Sequence, residues 1–135
     1  ITRDQAMSSK LVRTKKFILR IFDNYVEISK SSFGEISEMD LFEIWDHLEE
    51  SLKLPVPVLT TFDKCYTSSP EAQLQYGSFA KKYYSAIAFV DENNTINSEE
   101  TENNVFLKDV SVEVFSSKEN AILWLKKFGS VEQLP

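Results

Sequence analysis

The amino-acid sequence first becomes regular at residues 17–29, which read FILRIFDNYVEIS. Apolar side chains recur at every second position of both halves of this stretch, which is the spacing of a strand with one buried face. The dipeptide Asp23-Asn24 separates the two halves, and both residue types tolerate the positive φ angles of tight hairpin turns. The stretch therefore predicts a β-hairpin with strands at 16–22 and 25–30.

Downstream of this hairpin, helix and strand patterns alternate to the end of the chain. Apolar side chains spaced i, i+3, i+4 and i+7 indicate the first helix, and Ser69-Pro70-Glu71 is a start signal for the second. Ser116, followed by Glu119 three residues later, predicts a capping box at the start of the last helix. Helices are expected at 38–53, 70–83, 98–108 and 117–128, and strands at 56–62, 85–90 and 110–115.

This alternation predicts a mostly parallel sheet, because parallel neighbours need a crossover connection between them. The run SAIAFV at 85–90 is almost wholly apolar, as in a strand that is buried on both faces of a parallel sheet. The hairpin adds an antiparallel strand to this arrangement. We therefore predict an α/β fold with a mixed, mostly parallel sheet of about five strands and helices packed on it.

The length of 135 residues fits one domain. Residues 1–14 are polar and aperiodic, and we expect them to form a flexible N-terminal arm. Residues 15–129 are expected to form the α/β domain, and residues 130–135 a C-terminal tail.

Charge and composition exclude several classes of partner. The net charge of −6 repels nucleic-acid backbones and anionic lipid headgroups, and the densest basic cluster, Arg13, Lys15 and Lys16, is typical of a solvated arm. No apolar run reaches the roughly 18–20 residues that cross a bilayer. The single cysteine, Cys65, cannot form an intramolecular disulfide and suits a reducing compartment. We therefore expect a cytoplasmic protein with no nucleic-acid partner and no membrane insertion.

The groups from which common active sites are built are scarce. His47 is the single histidine, and it should point outward from the first helix without the companions that a general base or a metal site needs. Cys65 has no histidine to act as its base, and the carboxylates within 91–104 lack the spacing of a calcium loop. We therefore predict no catalytic, cofactor-binding or metal-binding residue. An enzyme would need two converging carboxylates, and the sequence indicates no such pair.

The order of elements resembles that of the STAS-like superfamily, whose type members are bacterial anti-sigma-factor antagonists. The resemblance spans residues 15–128 and is greatest to small bacterial STAS-like domains. The segments that carry it are FILRIFDNYVEIS (17–29), PVPVLTTF (55–62), SAIAFV (85–90) and VEVFSSKENAILWLKKF (112–128). The last segment is the most specific, because it joins a strand, a Ser-rich cap and an Ala-x-x-Trp-Leu helix. The resemblance implies a SpoIIAA-like fold.

The resemblance also implies a candidate regulatory site. In phospho-regulated STAS proteins, the phosphorylated serine begins the helix after the third strand, within an Asp-Ser-Ser-Gly type of motif. Ser68 and Ser69 hold the matching positions here, but Pro70 replaces the glycine and Asp63 lies too far upstream. A phosphate would bring about −1.5 to −2 charges to a helix N-terminus, where the helix dipole favours them. On the residues alone, Ser69 is an ordinary N-cap.

Two functions remain open at this point. The resemblance and the scarcity of catalytic groups imply a non-enzymatic regulatory or protein-interaction module, whose surface near the second helix docks an unidentified protein partner. The alternative is a domain that binds a small apolar, lipid-like ligand beneath residues 97–108 as a lid, which needs a pocket of about 300 Å³ or more. A homodimer could also cover the backbone groups of a hairpin strand at the sheet edge.

Overall fold

The computed structural model of the chain describes residues 10–31, 34–61, 69–92 and 110–135. Its strands are β1 (Lys10–Arg13), β2 (Phe17–Ile21), β3 (Val26–Lys30), β4 (Val56–Thr61), β5 (Tyr84–Val90) and β6 (Ser111–Phe115). Its helices are α1 (Glu38–Ser51), α2 (Pro70–Tyr83) and α3 (Lys118–Leu125), and a short 3-10 helix (Lys126–Phe128) extends the last of them. The helix predicted at 98–108 lies outside the described residues.

These six strands form one sheet in the order β1-β2-β3-β4-β5-β6. Strands β1, β2 and β3 are antiparallel neighbours, whereas β3, β4, β5 and β6 are parallel neighbours. The hairpin is formed by β2 and β3, with Phe17 opposite Lys30 and Ile21 opposite Val26. The predicted α/β fold with a mixed, mostly parallel sheet is confirmed, with one strand more than expected.

The additional strand comes from the segment that the sequence assigns to the N-terminal arm. Lys10–Arg13 pairs antiparallel with β2, and Val12 lies opposite Leu19. Of the four residues, Val12 alone is partly buried against the core, so no apolar periodicity marks this strand. The assignment of residues 10–13 to a flexible arm is therefore wrong. Strand β1 pairs with the hairpin strand β2, so the hairpin is not at the edge of the sheet and the argument for a homodimer that covers it no longer applies. The edge strand is β1 itself, and its charged Lys10 and Arg13 are typical of an edge that is protected from pairing with another chain.

Helices cover both faces of the sheet. Helices α1 and α2 lie on one face, over a core that includes the buried side chains of Phe17, Trp45 and Ile87. Helix α3 lies on the opposite face, where Ala121 and Leu125 pack against small side chains of β5. Strand β5 is therefore covered on both sides, which is what its continuous apolar run predicts.

Local capping residues set the helix starts. Ser69 is the N-cap of α2, as its start signal predicts, and Pro70 is the first helical residue. The cap of α3 is Ser117, whose Oγ accepts a hydrogen bond from the backbone N–H of Asn120. The capping box predicted from Ser116 is therefore wrong by one residue, because the Ser-Ser dipeptide offers two adjacent caps and the second one is used.

The predicted tail is bound to the domain. The backbone N–H of Val131 donates to the carbonyl oxygen of Asp23 in the hairpin turn at 2.7 Å. The N–H of Leu134 donates to the carbonyl oxygen of Ser51, the last residue of α1, at 2.9 Å. Residues 130–135 therefore connect the end of α3 to the hairpin turn and to the end of α1, which lies on the other face of the sheet.

Candidate functional site

An aromatic cluster joins α1 to α2 above the sheet. Trp45 of α1 is 2% exposed, and its ring stacks on Tyr83 of α2 with centroids 4.8 Å apart and 5° between the ring planes. The indole Nε1 donates a 3.0 Å hydrogen bond to the hydroxyl oxygen of Tyr84 in β5. The polar end of this buried tryptophan is thereby satisfied, and neighbours in α2 and β5 fix the position of the ring.

The cluster reaches the surface along the line where α1 and α2 meet. The rings of Phe42 and Phe79 lie against the Trp45 ring, with centroids 6.1 and 6.2 Å from it. Phe42 is half-buried, Phe79 is 43% exposed, and Met39, one turn before Phe42, is 68% exposed. We call Met39, Phe42 and Phe79 the apolar seam. Exposed apolar side chains grouped on a rigid base are typical of surfaces that bind other proteins.

An ion pair crosses between the two helices next to the seam. The Lys82 Nζ lies 3.4 Å from Oε1 of Glu49, and it is 5.2 Å from the centroid of the Tyr83 ring. The hydrogen bond to Glu49, together with charge interactions with Tyr83 and Glu49, raises the pKa of Lys82 above its ordinary value. Lys82 therefore remains a cation at neutral pH and compensates the charge of Glu49.

A capping box closes the N-terminus of α1. Oδ2 of Asp40 accepts hydrogen bonds from the backbone N–H of Ser37 at 2.8 Å and from its hydroxyl at 2.9 Å, and Lys16 Nζ lies 2.9 Å from the same oxygen. Burial acts to raise the pKa of Asp40, but the hydrogen bonds from Ser37 and Lys16 and the charge of Lys16 outweigh it and lower the pKa below 3.8. Asp40 is therefore a carboxylate that stabilises the helix start.

The predicted regulatory serine lies at the start of α2. The half-buried Ser69 accepts a 3.0 Å hydrogen bond from the N–H of Ala72, as an N-cap does. Its own N–H donates to the carbonyl oxygen of Ile36 at 2.8 Å, which holds the start of α2 next to the start of α1. The role of Ser69 as a cap is confirmed. Ser68 lies outside the described residues, and phosphorylation of either serine stays a prediction.

The other sequence candidates do not converge within the described residues. His47 is half-buried on α1, and Asp91 is buried at the end of β5. Cys65, most of the acidic stretch and the lid predicted at 97–108 lie outside the residues that the structure describes. Within the described ranges, no group of three or more His, Cys, Asp or Glu side chains could hold a metal ion. None of the described helices has the length and apolar character needed to cross a membrane.

Sequence reasoning missed a buried carboxylate on the opposite face of the sheet. Glu27 of β3 is 6% exposed, and its carboxylate oxygens lie 2.6 Å from Lys118 Nζ and 3.7 Å from Arg20 Nε. Lys118 begins α3, so this ion pair anchors the helix start on the sheet. The signal in the sequence is that Arg20 and Glu27 face each other across the hairpin. The helix that buries them is distant in sequence, so the hairpin alone could not show that Glu27 is buried.

Comparison with known proteins agrees with the architecture. No protein-family model and no curated protein sequence matches the chain. Among solved structures, it is similar to that of an uncharacterised protein of the DUF3478 family with a SpoIIAA-like fold, from Shewanella loihica PV-4. The TM-score is 0.54 at 17% sequence identity, over 87% of this chain and 92% of that one. The chain therefore has a SpoIIAA-like α/β fold, which confirms the resemblance to the STAS-like superfamily at the level of the fold.

Proposed function

We propose that this protein is a non-enzymatic regulatory module that docks a protein partner on the surface formed by α1 and α2. The observation that carries the proposal is the apolar seam, in which Phe42 and Phe79 rest on the buried Trp45 and remain accessible to solvent. Large apolar side chains gain free energy when a partner removes them from water. The SpoIIAA-like fold supports the proposal, because the resemblance to STAS proteins implies an interaction module.

The aromatic part of the seam is suited to binding because the Trp45 ring beneath it is already held in place before a partner arrives. The stacked Tyr83 and the hydrogen bond to Tyr84 hold the Trp45 ring in place. The two phenylalanines that lie on this ring are thereby restricted, so docking would cost little side-chain entropy.

Phosphorylation at Ser68 or Ser69 is the regulation that we propose for this surface. Ser69 precedes Phe79 by ten positions, which is about 15 Å along the helix axis at 1.5 Å per residue. A phosphate at the start of α2 would add negative charge to the same helix that carries part of the seam. Mass spectrometry of protein from its native cells should find the phosphate on the peptide that contains both serines, and an unmodified peptide under varied growth conditions would contradict it.

Site-specific photo-crosslinking tests the docking surface. A photoreactive phenylalanine analogue in place of Phe79 should capture a discrete partner in the cells that produce the protein. The control carries the analogue in place of Leu123, which is 61% exposed, compared with 43% for Phe79. Leu123 lies on α3, on the opposite face of the sheet. Capture at position 79 and not at 123 would support the proposal. Capture at 123 alone, or equal capture at both positions, would contradict it.

A further inference from the structure

The outward face of α1 carries negative charge that the described residues leave uncompensated. The helix contains six acidic residues and neither lysine nor arginine; the acidic residues are Glu38, Asp40, Glu43, Asp46, Glu49 and Glu50. Asp40 is paired with Lys16, Glu43 accepts a hydrogen bond from the N–H of Lys15, and Glu49 is paired with Lys82. Among the described residues, neither Asp46 nor Glu50 has an ion pair, and both are exposed.

The positions of these charges are unfavourable for the helix itself. Asp46 and Glu50 are four residues apart, and like charges at that spacing destabilise a helix by a few tenths of a kcal/mol. Glu50 also lies in the last turn, where the helix dipole disfavours an anion and where α1 has no basic residue. The last turn of α2 instead contains Lys81 and Lys82, as helix electrostatics favours. The charges of Asp46 and Glu50 therefore stabilise neither the helix nor a contact within the described part of the chain.

The charged pair is adjacent to the apolar seam. Met39, Asp46 and Glu50 are spaced by seven and four residues, so they follow one line along the outer side of α1. Phe42 lies beside this line, on the side that faces α2. From Met39 to Glu50 the line is about 16 Å long at 1.5 Å per residue, which is the length of about three helical turns.

We infer that the partner contacts this surface with a basic amphipathic helix of about three turns. The inference rests on the proposed docking function and specifies the chemistry of the partner. The apolar side of that helix covers Met39, Phe42 and Phe79, and its Lys or Arg side chains lie against Asp46 and Glu50. Opposite charges on the two surfaces both steer the encounter and select against acidic partners.

Two synthetic peptides provide the probe. Both are fluorescently labelled helices with leucines at i, i+3, i+4 and i+7; one has lysines and the other glutamates at the remaining positions. Fluorescence anisotropy with the full chain should show that the lysine peptide binds and that the glutamate peptide does not. Added salt should lower the affinity of the lysine peptide. The variant Phe79→Ser should bind the lysine peptide more weakly, because the leucines of the peptide lose their apolar contact with Phe79.

Charge reversal on α1 is the decisive variant. Asp46→Lys/Glu50→Lys should weaken binding of the lysine peptide by about tenfold or more, because two attractions become repulsions. The control Glu92→Lys/Glu119→Lys reverses two exposed carboxylates outside α1 and changes the net charge equally, and it should change affinity by less than about twofold. Circular dichroism verifies that both variants are folded.

Several outcomes would overturn the inference. If the two double variants weaken binding of the lysine peptide equally, attraction to the overall negative charge of the protein explains the binding. If the glutamate peptide binds as well as the lysine peptide, charge does not select the partner. Failure of both peptides would also overturn the basic-helix assignment. None of these results contradicts the docking proposal, because the cross-link at position 79 tests docking independently. If the cross-linked segment of the partner has no basic residues, docking is supported but a basic helix is excluded.

Discussion

Trp45 of α1 donates a 3.0 Å hydrogen bond from its indole Nε1 to the hydroxyl oxygen of Tyr84 in β5, and both side chains are buried. The indole has this single polar group and no acceptor capacity. The bond therefore fixes the ring on which the exposed phenylalanines of the apolar seam rest.

Tyr84→Phe removes one oxygen and leaves the indole N–H without this acceptor. The free energy of unfolding, measured in urea, should fall by about 1–3 kcal/mol, which is the cost of a buried group that loses its hydrogen bond. Tyr83→Phe is the control, because it keeps both the stacked ring and the bond from Trp45 to Tyr84. It should have the smaller effect; equal losses would show that the bond does not hold the cluster.

The buried carboxylate of Glu27 should depend on Lys118. Lys118→Met removes the closer cation and should lower the free energy of unfolding by about 1–2 kcal/mol, a reduced value because the lysine side chain is half exposed. The control Lys126→Met removes an exposed lysine of the short 3-10 helix that follows α3, and it should have almost no effect on stability. The double variant Glu27→Leu/Lys118→Met should recover stability relative to Lys118→Met, because no charge is then buried. Additive losses in chemical denaturation would contradict this account.

The C-terminal residues should stabilise the domain. Deletion of residues 131–135 removes the hydrogen bonds from Val131 and Leu134 and the partly buried Val131 side chain, so we expect a loss of about 1–3 kcal/mol. Glu132→Gln removes only the exposed pair with Lys53 and should change stability by less than about 0.5 kcal/mol. Thermal unfolding compares the two variants, and an unchanged Tm in the deletion would show that the contacts contribute nothing.

Features set by nearby residues could be predicted from the sequence, and features set by distant partners could not. The hairpin and the cap at Ser69 depend on neighbours within a few positions, and both are as expected. Strand β1 depends on pairing with β2 and has only Val12 partly buried, so its own residues give no strand pattern. The candidate site has the same limit. The helix pattern indicates that Trp45 faces inward, but only the packing of α1 on α2 brings Phe42 and Phe79 to the same indole.

Acid should expose the contribution of Asp40. Its pKa is lower in the folded protein than the ordinary 3.8, so its contribution to stability is complete above that value and is lost as the pH falls below it through the lower folded pKa. Asp40→Asn should therefore be less stable than the natural chain at neutral pH, and the difference should shrink under acid conditions. Urea unfolding across the acid range measures this convergence. Asp46→Asn, an exposed carboxylate on the same helix, is the control, and parallel curves for Asp40→Asn and the natural chain would contradict the assignment.

Two substitutions of Ser69 distinguish its role as a helix cap from its proposed role as a phosphorylation switch. Ser69→Ala removes the acceptor of the Ala72 N–H and should lower the free energy of unfolding by about 1 kcal/mol, whereas Ser69→Asp should retain stability because aspartate caps helices equally well.

If phosphorylation at Ser69 regulates docking, Ser69→Asp should lower the yield of the cross-link at position 79, and the less stable Ser69→Ala should not. Ser117→Asp makes the same change at the cap of α3, on the opposite face, and should leave the yield unchanged. Equal yields for Ser69→Asp and Ser69→Ala would assign Ser69 to the cap alone. Regulation at this helix start would then require Ser68, which Ser68→Asp tests in the same assay.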